Sequence, residues 1–258
     1  MLSIDIGETV ARVTLDRPEV HNAFNGELAA SIASAFKDLG GRPEVRVIVL
    51  AGNGKSFCAG GDLQWMRRTI GFTDEENLAD ARRMAAMFRS IALCPKPVIA
   101  RVHGAALGGG SGLVAAADIA IAQASAVFGF TEVRLGIVPG VISAYIVSRI
   151  GAGRAREYCL TGEKFPAAVA QSIGLIHSVA SDTEALDAAV RAKTDEILMA
   201  GPDAVSETKA LIAEVAGRSL DSAADYGARA LVRARSGAEG QAGIQAFLER
   251  RPPPWVKP

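Results

Sequence analysis

The chain has no net charge. Its 258 residues hold 28 Lys plus Arg against 28 Asp plus Glu. That balance excludes the basic excess by which proteins bind nucleic acid regardless of sequence. Cysteine is scarce: Cys58, Cys94 and Cys159 are odd in number and unrelated in spacing. They make neither a metal-ligand pattern nor a disulfide framework, and they fit a reducing compartment. The opening "MLSIDIGETVARVTLDRP" alternates as a strand does and lacks the basic and apolar regions of a signal peptide. Long apolar runs are missing as well, since Gly, Asp or Arg interrupts each before the roughly 20 residues of a membrane span. No internal repeat or low-complexity tract occurs. The expectation is a soluble cytoplasmic protein, 49% hydrophobic and able to build a substantial core.

What is present is an alternation of strand and helix patterns, the signature of the α/β class. Ile4 and Ile6, then Val10 to Leu15, read as a hairpin. Leu28, Ile32, Ala35, Phe36 and Leu39 recur at helical spacing until Gly40–Gly41. The β-branched run "VRVIVLAG" (45–52) suits a strand covered on both faces. Asp74 opens a helix to about Leu93, with Leu78, Ala81, Ala85, Phe88 and Ala92 on one face, and Pro95 and Pro97 beyond it. "PVIARVHG" and "IAIA" (119–122) are strands around a short buried helix, "GSGLVAAAD", and a further helix starts near 141. From about residue 183 only helical patterns remain, and the tail "RPPPWVKP" is not helical.

Two glycine clusters share a design. Ala59-Gly60-Gly61-Asp62-Leu63 and Gly108-Gly109-Gly110 each follow a strand and lead into a helix. A lone cluster marks a tight turn and nothing more. A pair does more, because the first N–H groups of a helix have no partner within it and favour negative charge. Two such donors aimed at one point stabilise a developing oxyanion. The clusters are neither the dinucleotide G-x-G-x-x-G nor a P-loop.

These segments also resemble a known family. "FCAGGDLQWM", "KPVIARVHGAALGGGSGL" and "FGFTEVRLGIVPG", in this order, are similar to the crotonase superfamily of enoyl-CoA hydratases and isomerases, and the likeness spans nearly the whole chain. "AGGDLQWMRR", "ENLADARR", "GGGSGLVAAADIAIA" and "IVPGVISAYIVSRIG" resemble most the bacterial methylglutaconyl-CoA hydratases of leucine and isoprenoid degradation. The resemblance implies a spiral of ββα units over residues 1–195 carrying a CoA-thioester site, and a helical oligomerisation region over 196–258 that builds trimers or hexamers. It implies that the Gly61 and Gly109 N–H groups hold the thioester oxygen. Gly61, Asp62, Leu63 and Gln64 would then lie along the coenzyme A. It further implies an acyl-CoA partner and no separate cofactor, while charge, apolar runs and cysteine spacing lead to the expectation of no nucleic acid or membrane partner and no metal.

Glu132 falls on the family's proton-exchanging glutamate. It follows an apolar stretch, where desolvation raises a carboxyl toward a useful range; the plain alternative is an ion pair with Arg134. Gly112 departs from the pattern. Many hydratases of the superfamily have a second glutamate there, and its absence is expected to leave room for a branched or carboxylated acyl group. A single glutamate also serves isomerases, so enoyl-CoA isomerisation is the alternative to hydration, and an RNA-binding or non-catalytic homologue is the alternative outside enzymes. Asp62 is read as a helix cap, His103 as structural, His21 and His177 as outside any triad, and Cys58 as a small buried residue. Arg67, Arg68, Arg82, Arg83 and Arg89 form a solvated face or, more specifically, meet a CoA phosphate or a distal carboxylate.

Overall fold

The computed structural model describes residues 1–256. The hairpin of β1 (Leu2–Ile6) and β2 (Val10–Leu15) leads into α1 (Gly26–Gly41), β3 (Val47–Gly52), α2 (Leu63–Thr69) and α3 (Asp74–Ala92). Two similar turns of chain follow. The first is β4 (Val98–Val102), β5 (Ala105–Leu107) and α4 (Gly109–Ala116); the second is β6 (Ile119–Gln123), β7 (Val127–Gly129) and α5 (Ser143–Thr161). In each, the first strand joins a six-stranded sheet whose first five strands run β1-β2-β3-β4-β6, and the second joins a smaller sheet. The last strands, β8 (Lys164–Pro166) and β9 (Ser178–Ala180), close the smaller and the larger sheet on either side of α6 (Ala167–Ser172). Helices α7 (Thr183–Leu198), α8 (Pro202–Val215), α9 (Leu220–Ser236) and α10 (Ala238–Leu248) complete the chain. This is the α/β spiral expected.

All of β3 is buried because both faces of its sheet are covered. Val47 and Val49 pack with Ile99, Ile121 and the α7 residues Leu186 and Val190. Ile48 and Leu50 face the larger cluster of Leu28, Ile32, Phe36 and Phe88. Beyond the hairpin, every pairing in the large sheet is parallel.

Three expectations are corrected. α1 runs on through Gly40 and Gly41, and its cap is Arg42. The cap of α3 is Thr73, which forms a reciprocal capping box with Glu76. The buried face of α3 is Asp80, Met84, Met87, Phe88 and Ile91, while Leu78 is 51% exposed. Asp80 stands where the helical period calls for an apolar residue, so the apolar spacing points to a face rotated from the buried one. The division at residue 196 falls inside α7. Among the described residues no helix is long and apolar enough to cross a membrane. Lys257 and Pro258 of the tail lie outside the described residues.

Candidate active site

The small sheet is wider than its three strands. Cys58 bridges Ala106 of β5, and Phe24 bridges Gly61, both in parallel. Phe24, the 58–61 segment, β5 and β7 therefore stand side by side, and their C-terminal ends open on one side. Ligand sites of α/β sheets form at such ends.

The Gly61 N–H points away from its neighbour. Phe24 uses its own N–H on Gly60 O (2.8 Å) and accepts from Asp62 N (3.0 Å). In that register the groups of Gly61 face the other side. Gly109 is the first residue of α4, so its N–H has no acceptor within the helix. Among the described residues neither donor has a hydrogen-bond partner. The two segments touch: a Cβ on Gly60 would lie 3.7 Å from Gly109 N, and one on Gly110 would overlap the Cys58 carbonyl. Gly108 makes the turn with φ 51° and ψ −122°, a conformation for glycine alone.

Asp62 locks the first segment. It accepts from Gln64 N and Trp65 N to cap α2 and pairs with Arg17 Nη2 at 2.8 Å. Arg17 also donates to Ala23 O at 2.6 Å, which ties the Phe24 loop to the same point. Burial alone would raise the Asp62 carboxyl; the bonds from Trp65, Arg17 and Gln64 outweigh it and hold the group below its usual range.

Glu132 begins a single 3₁₀ turn, Glu132–Leu135, three residues beyond β7. Leu107 pairs with Gly129, so the Gly108 turn and Glu132 leave neighbouring strands on the same side. Oε1 lies 3.2 Å from where a Cβ on Gly108 would stand. Oε2 is buried and has no hydrogen-bond partner among the described residues. Burial pushes the carboxyl above its ordinary value, opposed only by a backbone hydrogen bond. The alternative ion pair does not form, since Arg134 donates instead to Thr161 O.

Gly61, Gly109 and Glu132 line one cavity of about 420 Å³, within the usual range for small-molecule sites. Its apolar wall includes Phe24, Trp65, Met84, Phe88 and Ile142, and Thr69, Asn77 and Asp80 add polar groups. Asp62, Leu63, Gln64 and Gly112 do not line it. Leu63 is 77% exposed, on the surface beside the opening. The expectation for Gly112 is corrected: a Cβ there would overlap the Ile142 methyl group and come within 3.0 Å of Phe88 Cε1. The missing side chain makes room for Ile142, not for a ligand.

The five arginines are exposed and none lines the cavity. The Nδ1 of His21 meets Ser56 Oγ, the Nε2 of His103 meets Gly54 O, and the Nδ1 of His177 accepts from Ala120 N. Each histidine is thus held in the scaffold. Burial pushes the Cys58 thiol up to about 12, which leaves it without nucleophilic thiolate at neutral pH. No metal-binding cluster occurs among the described residues. Sequence reasoning missed Asp80, Asn77 and Thr69. An acid on the apolar face of α3 was the available signal.

The geometry defines an α/β spiral enzyme class with two free backbone donors and one desolvated carboxyl around one cavity. The model of the enoyl-CoA hydratase/isomerase family matches residues 5–258. A short-chain-enoyl-CoA hydratase of Clostridium acetobutylicum is 33% identical, over 94% of this chain and 92% of that protein. A crystal structure of an enoyl-CoA hydratase from Shewanella pealeana superposes with a TM-score of 0.94 at 36% identity, covering 98% of this chain and 95% of that one. An enoyl-CoA hydratase from Mycobacterium smegmatis gives 0.93 at 32% identity, with 98% of both chains covered. The chain belongs to the enoyl-CoA hydratase/isomerase family.

Proposed function

We propose that the protein is an enoyl-CoA hydratase that adds water across the α,β double bond of a short or branched, uncharged acyl-CoA. The observation that carries this reading is the unpartnered, buried Oε2 of Glu132 in one cavity with the Gly61 and Gly109 N–H groups. Nucleophilic addition to an enoyl thioester drives charge onto the carbonyl oxygen, and two fixed donors there answer that need. Losing one such donor typically costs roughly 100- to 1000-fold in rate.

One carboxylate suffices for the proton. Glu132 takes a proton from water as the oxygen bonds to Cβ and the π electrons move to the thioester oxygen. The enolate then collapses as Glu132 returns that proton to Cα. Carbon, oxygen and protons balance without a further cofactor, because coenzyme A arrives with the substrate. The pantetheine would run along residues 61–64, where Leu63 and Gln64 are exposed.

The sequence resemblance points to 3-methylglutaconyl-CoA, which bears a distal carboxylate. Among the described residues that line the cavity none is Lys or Arg, so an uncharged branched acyl group fits this wall better. Isomerisation is the second reading. It is favoured by Gly112, which brings no second carboxylate to Glu132. The same glutamate would move a proton between two carbons of the acyl chain. Assembly as a trimer, or a multiple of it, completes the proposal and accounts for the exposed apolar residues of α8–α10.

A panel of enoyl-CoA esters tests the reading. Crotonyl-CoA and 3-methylcrotonyl-CoA should lose the ultraviolet absorbance of the conjugated thioester and yield 3-hydroxyacyl products. Appearance of that absorbance from a 3-enoyl ester, without hydration of the 2-enoyl ones, would establish the isomerase instead.

A further inference from the structure

Asp80 is 6% exposed on the buried face of α3, four residues before Met84 and eight before Phe88. The two apolar residues and Asp80 line the same cavity as Glu132. Its Oδ1 accepts from Arg83 Nη2 at 3.0 Å, but the Arg83 side chain is 57% exposed and outside the cavity wall. Oδ1 also lies 3.9 Å from where a Cβ on Gly26 would stand, at the positive end of α1. The carboxylate is therefore compensated from behind, on the side away from the cavity.

The rest of the wall offers a ligand few donors. Thr69 spends its hydroxyl on Met66 O and Asn77 its amide on Phe72 O. Apart from the Gly61 and Gly109 N–H groups and the Trp65 indole N–H, what remains is acceptors and acids: the Asn77 carbonyl oxygen, Asp80 and Glu132. The one-carboxylate mechanism proposed above makes no use of this buried acid.

We infer that Asp80 is a specificity residue of the acyl pocket, whose carboxylate excludes acyl groups ending in an anion and so restricts the site to uncharged ones. This rests on the acyl-CoA reading of the cavity and deepens it. The effect is Coulombic. A distal carboxylate entering the pocket would meet a like charge with no cation of its own to pair with. A purely structural Asp80, bracing the start of α1 through its charge, would alter stability and leave ligand preference alone.

The test is binding, so it does not depend on turnover. Valeryl-CoA and glutaryl-CoA present acyl chains of equal length, one ending in a methyl group and one in a carboxylate. Calorimetry on the parent should give a Kd for glutaryl-CoA at least about tenfold the higher, a modest value for one partly screened repulsion at an effective dielectric near 20. Asp80→Asn should bring the two Kd values together. Arg83→Gln removes the compensating charge at an exposed position and should widen the ratio. An unchanged ratio in folded Asp80→Asn overturns the inference; if that variant does not fold, an unchanged ratio in Arg83→Gln does so. If valeryl-CoA binds and crotonyl-CoA is hydrated while the ratio stays flat, only the role of Asp80 falls. If neither ester binds the parent, the acyl-CoA reading falls with it.

Discussion

α4 and the three last helices are both rich in small residues, yet they are packed in opposite ways. α4 buries every residue after its first, Gly110 to Ala116. α8 buries none, α9 only Ala230 and α10 only Ala246. Around α4 each missing side chain is filled by something else: the Cys58 carbonyl against Gly110, the Phe24 ring against Gly109, Ile142 against Gly112. On the last helices Ile212, Leu220, Leu231, Val232, Phe247 and Leu248 are all more than half exposed. The assembly proposed above would cover these side chains. One region is finished within the chain and places the candidate chemistry, while the other leaves large apolar side chains in solvent.

The sharpest break in this comparison is made at Glu132. Glu132→Gln keeps the shape and removes the proton. Turnover should fall at least about 100-fold, the scale of a general acid–base group. The Kd of valeryl-CoA should hardly move, because the cavity wall is unchanged. Near-normal turnover in stopped-flow or steady-state assays would take Glu132 out of the mechanism.

The next effect belongs to the unfinished region. Phe247, 81% exposed at the end of α10, should lie in the contact between copies. Phe247→Asp buries a charge there and should shift sedimentation from a trimer, or its multiple, towards monomer at micromolar concentration. The parent sedimenting as a monomer would contradict the assembly outright.

Much of the fold is legible in the sequence where a strand or helix buries one uniform surface. β3 reads directly because a strand covered on both faces needs apolar residues at every position. β5 and β7, three residues each, are too short for any period to show, and the small sheet that carries the site was therefore invisible. The glycine donors were legible as a pair of loop-to-helix junctions, but their meeting was not, since it depends on isolated bridges at Phe24 and Cys58. Glu132 is recognisable only through resemblance. Nothing in "FGFTEVRLG" says that its carboxyl lacks a partner. Gly112 shows the converse limit: an absent side chain is plain in the sequence, but what fills its place is not.

Glycine substitutions sharpen the same contrast. Gly112→Ala would press on Ile142 and Phe88, and overpacking of this kind typically costs ~1–3 kcal/mol. Gly227 lies inside α9 and has nothing within 4 Å of a Cβ. Gly227→Ala should therefore gain about 0.5–1 kcal/mol of helix stability. Urea titrations of both variants should show midpoints moving in opposite directions. A Gly227→Ala variant that loses stability would mean that a neighbouring copy packs against this face of α9.

The smallest effect expected is on stability, and its sign follows from Glu132. Burial raises the carboxyl in the folded state above its value in the unfolded chain. The folded protein therefore holds that proton more tightly. Below the unfolded value the group is protonated in both states and costs nothing extra. As pH rises through the folded value the buried group must ionise, and the stability it allowed at low pH is lost. Glutamine has no such ionisation. Glu132→Gln should thus melt higher than the parent at pH 7–8, by about 2–4 °C if the cost is ~1 kcal/mol in a chain of this size, and the gain should vanish at pH values below the ordinary carboxylate range. The parent's turnover, which needs the ionised form, should fall on the acid side at a pH above that range. A variant that melts no higher than the parent at neutral pH would show that the Glu132 carboxylate is not held at a cost, and the link between its desolvation and its reactivity would be lost.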